Sequence, residues 1–236
     1  MIQHLASLPV LMPMLAAIIL LLPPCGKSLF ARRLTSSLMA ILTFVITVLL
    51  LVQVKDNGII VYEIGNWSAP FGIVLVADML STLLVTLTAF LGLGVVLYGC
   101  VGDDEQGSFF HPLVHFLILG VNGAFLTGDL FNVFVFFEVL LIASYALLMH
   151  GGGKPKTRAA LHYVILNLVG SSVFLIGLGI LYGVLGTLNI ADMANKVPQL
   201  TGDDVYLAKA GGLLLLVVFA LKSALLPLHL WLPNAY

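Results

Sequence analysis

Two ionisable residues stand in stretches of this sequence where water is scarce. Glu138 lies in FVFFEVLLIASY, residues 134–145, between Phe134, Phe136 and Phe137 on one side and Val139, Leu140 and Leu141 on the other. Lys222 lies in LLLLVVFALKSALLPLHLWLP, residues 213–233. A charge at the centre of a bilayer costs on the order of 3 kcal/mol on insertion scales, so a residue of this kind is a functional candidate by default. A buried acid and a buried base at similar depth titrate as a coupled unit whose ionisation depends on their separation. That is chemistry suited to moving protons. The plainer reading is a static ion pair that ties two helices together.

Other polar groups lie near these two in sequence. Tyr145 falls on the Glu138 face two helical turns on, and Asn167 and Ser171 share a face by i,i+4 spacing. His162 precedes them and His229 follows Pro227. Histidine changes charge at about pH 6.5, which suits a proton relay, and short polar side chains also serve as glue between helices. Pro227 removes a backbone donor and clashes with the preceding turn, so the last span is expected to break there and free a carbonyl near residue 223. Broken helices beside an intramembrane charge recur at ion-transport sites. Asp78 and Asp129, at predicted ends of spans, are expected to be solvated.

The elements that position these residues follow from composition. Of 236 residues, 61% are hydrophobic and 9% charged, against roughly 25% charged in soluble domains. Mean hydropathy is +1.13. The chain is expected to be an all-α polytopic membrane protein. Apolar runs of about 20 residues mark the spans, and seven are found, at about 5–22, 34–54, 78–100, 109–128, 130–149, 160–186 and 207–232. Glu138 is nine residues into the fifth, near the midplane. Between the second and third lies NGIIVYEIGNWSAPFGIVLVAD, residues 57–78, which alternates, turns and carries Trp67. It reads as a short interfacial β-hairpin.

Lys27, Arg32 and Arg33 follow span one, and Lys154, Lys156 and Arg158 follow span five. Lys55, Lys196 and Lys209 fall on the opposite side. The bias of basic residues toward the cytoplasm puts the N-terminus outside. The loop GDDEQG, residues 102–107, is then a cytoplasmic loop without a basic residue.

Several chemistries are excluded. A net charge of -1 gives no basic patch for nucleic acid. PPCGKS, residues 23–28, ends like a phosphate loop but has Leu21 where the first glycine belongs and no preceding strand. HPLVH puts His111 and His115 on one helical face without the glutamate of a zinc protease, and reads as an interfacial pair. Cys25 and Cys100 are too far apart in sequence for a metal cluster. No metal or cofactor is expected.

An interior Glu in span five, a Lys in a proline-broken span seven, and KSALLPLHLWLPNAY together resemble the antiporter-like membrane subunits. These are shared by Mrp-type multisubunit cation/proton antiporters and respiratory complex I. The hairpin GNWSAPFGIVLVADMLS and the ending LPNAY, with Tyr236 where complex I relatives more often carry His, resemble the D-type member of the Mrp antiporter subunits. The resemblance covers essentially the whole chain. It implies a non-enzymatic subunit of a monovalent cation/proton antiporter in the bacterial cytoplasmic membrane, with other membrane subunits as partners. Glu138 and Lys222 would translocate protons. The alternative it leaves open is a proton-pumping subunit of a complex I or membrane-bound hydrogenase type redox complex. It further implies a longer protein with two inverted repeats. Residues 1–107 would be N-terminal helices and hairpin, residues 108–236 an incomplete first repeat, and the sequence the N-terminal part of the whole.

Overall fold

The computed structural model describes residues 3–23, 25–68 and 70–235, so Tyr236 lies outside the described residues. A 3-10 turn, Gln3–Ser7, leads into α1 (Leu8–Leu21), followed by α2 (Leu29–Asn57). The hairpin strands β1 (Ile60–Glu63) and β2 (Val74–Ala77) pair in a two-stranded sheet. Then come α3 (Met79–Gly99), α4 (Phe110–Leu126), α5 (Leu130–Leu148) and α6 (Lys154–Leu185). The short α7 (Ile190–Lys196), α8 (Asp203–Lys222) and the single turn α9 (Leu232–Ala235) complete the order. Among the described residues six helices are long and apolar enough to cross a membrane, and α4, in the fourth expected span, is a shorter apolar helix. This is the expected all-α polytopic architecture with its hairpin.

Local chemistry sets the helix ends. Ser28 caps α2 by accepting the Ala31 amide. Asp78 and Ser81 form a reciprocal capping box at the start of α3, at 2.7 and 2.9 Å. That is a half-buried structural role for Asp78, where a solvated one was expected. Gly186, with φ 66°, closes α6 in the left-handed conformation that glycine adopts without steric cost.

The chain forms two compact units. The first takes residues up to Tyr62, Leu75–Thr127 and Val135–Gly151; the second takes Glu63–Val74, Gly128–Phe134 and Gly152 onward. In the first, α1 packs on α2 and α4, and α3 also packs on α2 and α4, giving a ring of four helices. The inward stripe of α2 is Ser36, Ala40, Thr43, Ile46, Thr47, Leu50 and Val54, spaced as one helical face requires. Leu50 and Val54 join Val85, Leu126 and the hairpin residues Ile60, Leu75 and Ala77 in one cluster, and Ala40 joins Val96, Val114 and Ile118 in another.

A polar contact crosses this bundle for a reason written in α1. Pro13, buried inside the helix, has no N–H to give the carbonyl of Pro9. Asn122 of α4, fully buried, donates its Nδ2 to that carbonyl at 2.8 Å.

In the second unit α6 packs along α8, with the buried α6 face running through Tyr163, Asn167, Gly170, Ser171, Phe174, Gly177 and Leu181. Gly177 and Gly211 let the backbones meet closely. A Cβ on either would lie 3.2–3.3 Å from the other's carbonyl oxygen, the small-residue contact typical of membrane helix pairs.

The Asn122 contact predicts a double-mutant cycle. Asn122→Leu is expected to destabilise the bundle by roughly 1–3 kcal/mol, the cost of a buried carbonyl left unmet. In a Pro13→Ala background, which restores the backbone donor, most of that cost should vanish. Thermal unfolding of the four detergent-solubilised variants measures it, and strict additivity would refute this account.

Candidate functional site

The last long span ends early. Helix α8 stops at Lys222, five residues before Pro227, and residues 223–231 are non-helical. The residue before a proline is driven out of the helical region, and here the unwinding propagates further back. The Leu225 amide reaches to the carbonyl of Ala220 at 2.8 Å, and Ala224 takes a φ of 53°. The α-helical partner of Leu221's carbonyl would be the Leu225 amide, which is thus withdrawn. Leu221's carbonyl instead accepts the Ala224 amide at 3.1 Å and the Trp231 indole Nε1–H at 2.9 Å.

Lys222 is therefore the last helical residue. Its ammonium lies at the C-terminal end of α8, where free carbonyls favour positive charge. Its Nζ donates to Ser171 Oγ on α6 at 3.3 Å. Gly170 makes room for the neighbouring Leu221 side chain, which a Cβ there would meet at 2.6 Å. Asn167, fully buried one turn earlier, donates Nδ2 to the Tyr163 carbonyl at 3.0 Å, while its Oδ1 has no hydrogen-bond partner among the described residues. Tyr163 stacks on Trp231 with ring centroids 5.0 Å apart and planes 16° from parallel.

Of the residues singled out by sequence, the second unit thus gathers Lys222, Ser171 and Asn167 on one face of α6. His229 lies half-buried in the non-helical segment, its Nδ1 buried without a hydrogen-bond partner among the described residues. His162 is elsewhere: it is exposed and lines an open cavity of about 820 Å³ with Lys154, Arg158, Leu161 and Ile165. Glu138 and Tyr145 belong to the first unit, half-buried on α5. Leu140 of the same helix packs so tightly against α4 that a Cβ at Gly120 would meet its backbone nitrogen at 2.7 Å.

Trp231, Tyr163 and Gly170 were not singled out from the sequence. The available signal was an indole N–H inside an apolar broken segment, since a buried Trp needs an acceptor.

Two buried polar clusters were not foreseen, and one other expectation needs correction. The GDDEQG loop carries no basic residue of its own, yet Asp104 is buried and clasped by Arg33 of α2, with Nε–Oδ2 and Nη2–Oδ1 both at 2.7 Å. His111 and His115 are both buried in the first unit. His111 Nε2 donates to Asp104 Oδ2 at 3.1 Å, and His115 Nε2 shares a 3.0 Å hydrogen bond with Ser36. Cys100, Asp104 and His111 place ligand-type atoms within 4.8 Å of one another, but Arg33 already engages both Asp104 oxygens and neutralises the charge a cation would use. Asp129 is buried rather than solvated; its Oδ1 accepts the Asn132 amide at 2.9 Å, and burial pushes its carboxyl above the ordinary range.

The fold and this site define a polytopic subunit with a basic residue beside a broken helix. Residues 127–236 match the membrane family described as NADH:quinone oxidoreductase/Mrp antiporter. Residues 127–236 thus carry the membrane domain of that family. Within it the similarity is to the D-type members. The chain is 46% identical over 231 residues to the D-type Na(+)/H(+) antiporter subunit of Bacillus subtilis (strain 168), covering 97% of this chain and 46% of that one. It is 42% identical over 239 residues to a probable D-type K(+)/H(+) antiporter subunit of Rhizobium meliloti, covering 99% and 44%. Among solved structures, it is similar to a chain of the archaeal membrane-bound sulfane sulfur reductase, at 30% identity and TM-score 0.89, covering 99% of this chain and 47% of that chain. It is also similar to a chain of the Mrp complex from Dietzia sp. DQ12-45-1b, at 30% and 0.84, covering 100% and 43%. The chain spans about half the length of the curated relatives it matches.

The Asp104 clasp carries a pH prediction. Hydrogen bonds from Arg33, then from His111, hold the carboxyl at about 2 against the opposing effect of burial. A carboxyl depressed on folding stabilises above its unfolded range, near pH 4, and that contribution is lost as pH falls toward 2. The displacement corresponds to roughly 2 kcal/mol. Asp104→Asn should lower the melting temperature at pH 7 and flatten its decline between pH 5 and 2.5. An unchanged melting curve across that range would exclude the clasp as a stabilising contact.

Proposed function

We propose that this chain is the N-terminal part of a membrane subunit that exchanges Na+ or another monovalent cation for protons, within a multisubunit antiporter of the bacterial cytoplasmic membrane. The observation that carries this reading is Lys222 ending α8 at the break, with its ammonium 3.3 Å from Ser171. Discontinuous helices, whose C-terminal ends and unwound carbonyls face cations, are a feature of transporter sites. The names of the relatives, Na(+)/H(+) and K(+)/H(+) antiporter subunits, support the same reading.

In this reading Glu138 and Lys222 are the proton-translocating pair. Each ion is costly alone in apolar surroundings, and each stabilises the other when close. Their titration is then coupled to conformation. Movement at residues 223–231 changes what surrounds Lys222, which passes its proton to a relay group. Glu138 takes one up, and return of the segment recharges the pair. His229, Asn167, Ser171 and Tyr145 are relay or supporting groups, and His162 a relay group on the open face of α6. Pro227 keeps the segment from rewinding. Residues 108–236 form the first, incomplete antiporter-like repeat, and residues 1–107 the helices and hairpin before it. The N-terminus faces outward.

A second reading, a proton-pumping subunit of a redox complex, draws support from the likeness to the sulfane sulfur reductase chain and to respiratory complex I from Thermus thermophilus, at 25% identity and TM-score 0.75. Neighbouring genes separate the two: small membrane subunits for an antiporter, quinone and iron–sulfur subunits for a redox complex.

Glu138→Gln and Lys222→Met are each expected to abolish cation-driven dissipation of a pH gradient in vesicles carrying the assembled full-length complex. Glu138→Asp should retain part of it. Near-normal exchange by Glu138→Gln would leave only the static-pair reading. Orientation is tested with single cysteines at Lys154 and Lys196: labelling of position 154 only from outside would reverse the topology.

A further inference from the structure

We propose that Trp231 is a positioning residue, a latch that fixes the broken end of α8 against α6 and so holds Lys222 beside Ser171. The inference deepens the reading of Lys222 as the transport group and rests on it. Unwinding after Lys222 takes the Leu225 amide away from Leu221's carbonyl and gives it to Ala220. A carbonyl losing its helical donor inside a membrane must find another, because no bulk water is there to supply one. The Ala224 amide meets part of that need at 3.1 Å, and Trp231, ten residues on and past the break, gives the same oxygen a second, shorter hydrogen bond at 2.9 Å. The same indole lies flat on Tyr163, and both rings are buried. One side chain therefore joins three places: the last turn of α8, the segment beyond the break, and the face of α6 that carries Asn167 and Ser171.

The consequence is geometric. Leu221 and Lys222 are adjacent, so a donor fixed on Leu221's carbonyl fixes the backbone from which the Lys222 side chain departs. Tyr163 lies two turns before Ser171 on α6. Both ends of the Lys222–Ser171 contact are thus referenced to the Trp231 ring. The hydroxyl at 3.3 Å is a long contact for so strong a donor, and a displacement of the last turn would end it. A tryptophan that merely filled space would need neither the indole N–H aimed at this carbonyl nor the parallel stack.

Trp231→Phe keeps an aromatic ring for Tyr163 and removes the N–H. In the assembled full-length complex, amide exchange at residues 221–228 should accelerate about five- to tenfold, the scale of one lost hydrogen bond. The pH profile of antiport should shift, because Lys222 is no longer held in one environment, while complex yield stays near wild type. Tyr163→Leu should produce the same shift, and the double variant should add little to either alone. Trp231→Leu removes both contacts and should exceed Trp231→Phe in exchange rate. Unchanged exchange at 221–228 in Trp231→Phe overturns the latch. Faster exchange with an unmoved pH profile overturns its role in positioning Lys222, provided Lys222→Met abolishes antiport. If Lys222→Met transports normally, the reading of Lys222 as the transport group falls instead, and exchange and additivity alone decide the latch.

Discussion

The structure depends on one constraint: inside a bilayer, a backbone carbonyl that loses its helical donor must be given another. Both units meet this constraint, and both do it with a side-chain N–H from a distant part of the sequence. In the first, Pro13 cannot serve the Pro9 carbonyl, and Asn122 of α4 does. In the second, the unwound segment before Pro227 takes the Leu225 amide from the Leu221 carbonyl, which is served instead by the Ala224 amide and the Trp231 indole. The difference between them is instructive. Asn122 repairs a helix that stays helical through its proline, so the contact is a weld between α1 and α4. Trp231 caps a helix that has ended, so the contact holds in place a segment with no helical hydrogen bonds of its own to restrain it.

The placement of Lys222 follows from that second solution. Were α8 continuous, Lys222 would be a mid-helix residue with its carbonyl neighbours occupied. Ending the helix there puts the ammonium at the negative end of the helix dipole and leaves the backbone beyond it non-helical. Gly170 admits the Leu221 side chain to α6, and Ser171 offers its hydroxyl to Lys222.

Much of this was legible in the sequence. Six of the seven apolar runs fall on helices long enough to span and the fourth on the shorter α4, because length and hydropathy are strong signals in membrane proteins, and alternation with Trp67 gives the hairpin. Lys222, Asn167 and Ser171 were legible from type and spacing. The end of α8 was not: a proline marks a break, but how far back the helix unwinds depends on tertiary partners such as Trp231, which periodicity does not reveal. The burial of His111, His115, Asp104 and Asp129 was hidden for a related reason. Each lies near a predicted span end, where hydropathy reads as interface. The pairing of residues far apart in sequence, Arg33 with Asp104 and Ser36 with His115, offsets the cost of burying the first three. His162 shows the converse, since a histidine within an apolar span proves to lie on an exposed face.

The packing of the second unit also limits where motion can arise. Along most of their length α6 and α8 are held by backbone-close contacts, with Gly177 and Gly211 each against the other's carbonyl and Leu181 wedged beside them. Sliding or rotating α8 as a rigid rod would drive Cα and carbonyl atoms into one another, because close-packed interfaces are bistable rather than continuously deformable. Beyond Phe219, which stacks edge-on against Phe174 at 5.6 Å, the contacts between α8 and α6 change character. They are made by the ends of side chains, Leu221 over Gly170 and Lys222 toward Ser171, and by the Trp231 indole. Side-chain contacts can be exchanged without moving a helix axis. A change in the surroundings of Lys222 is therefore generated most easily in the last turn of α8 and the segment after it, which is where helical hydrogen bonding has already been given up.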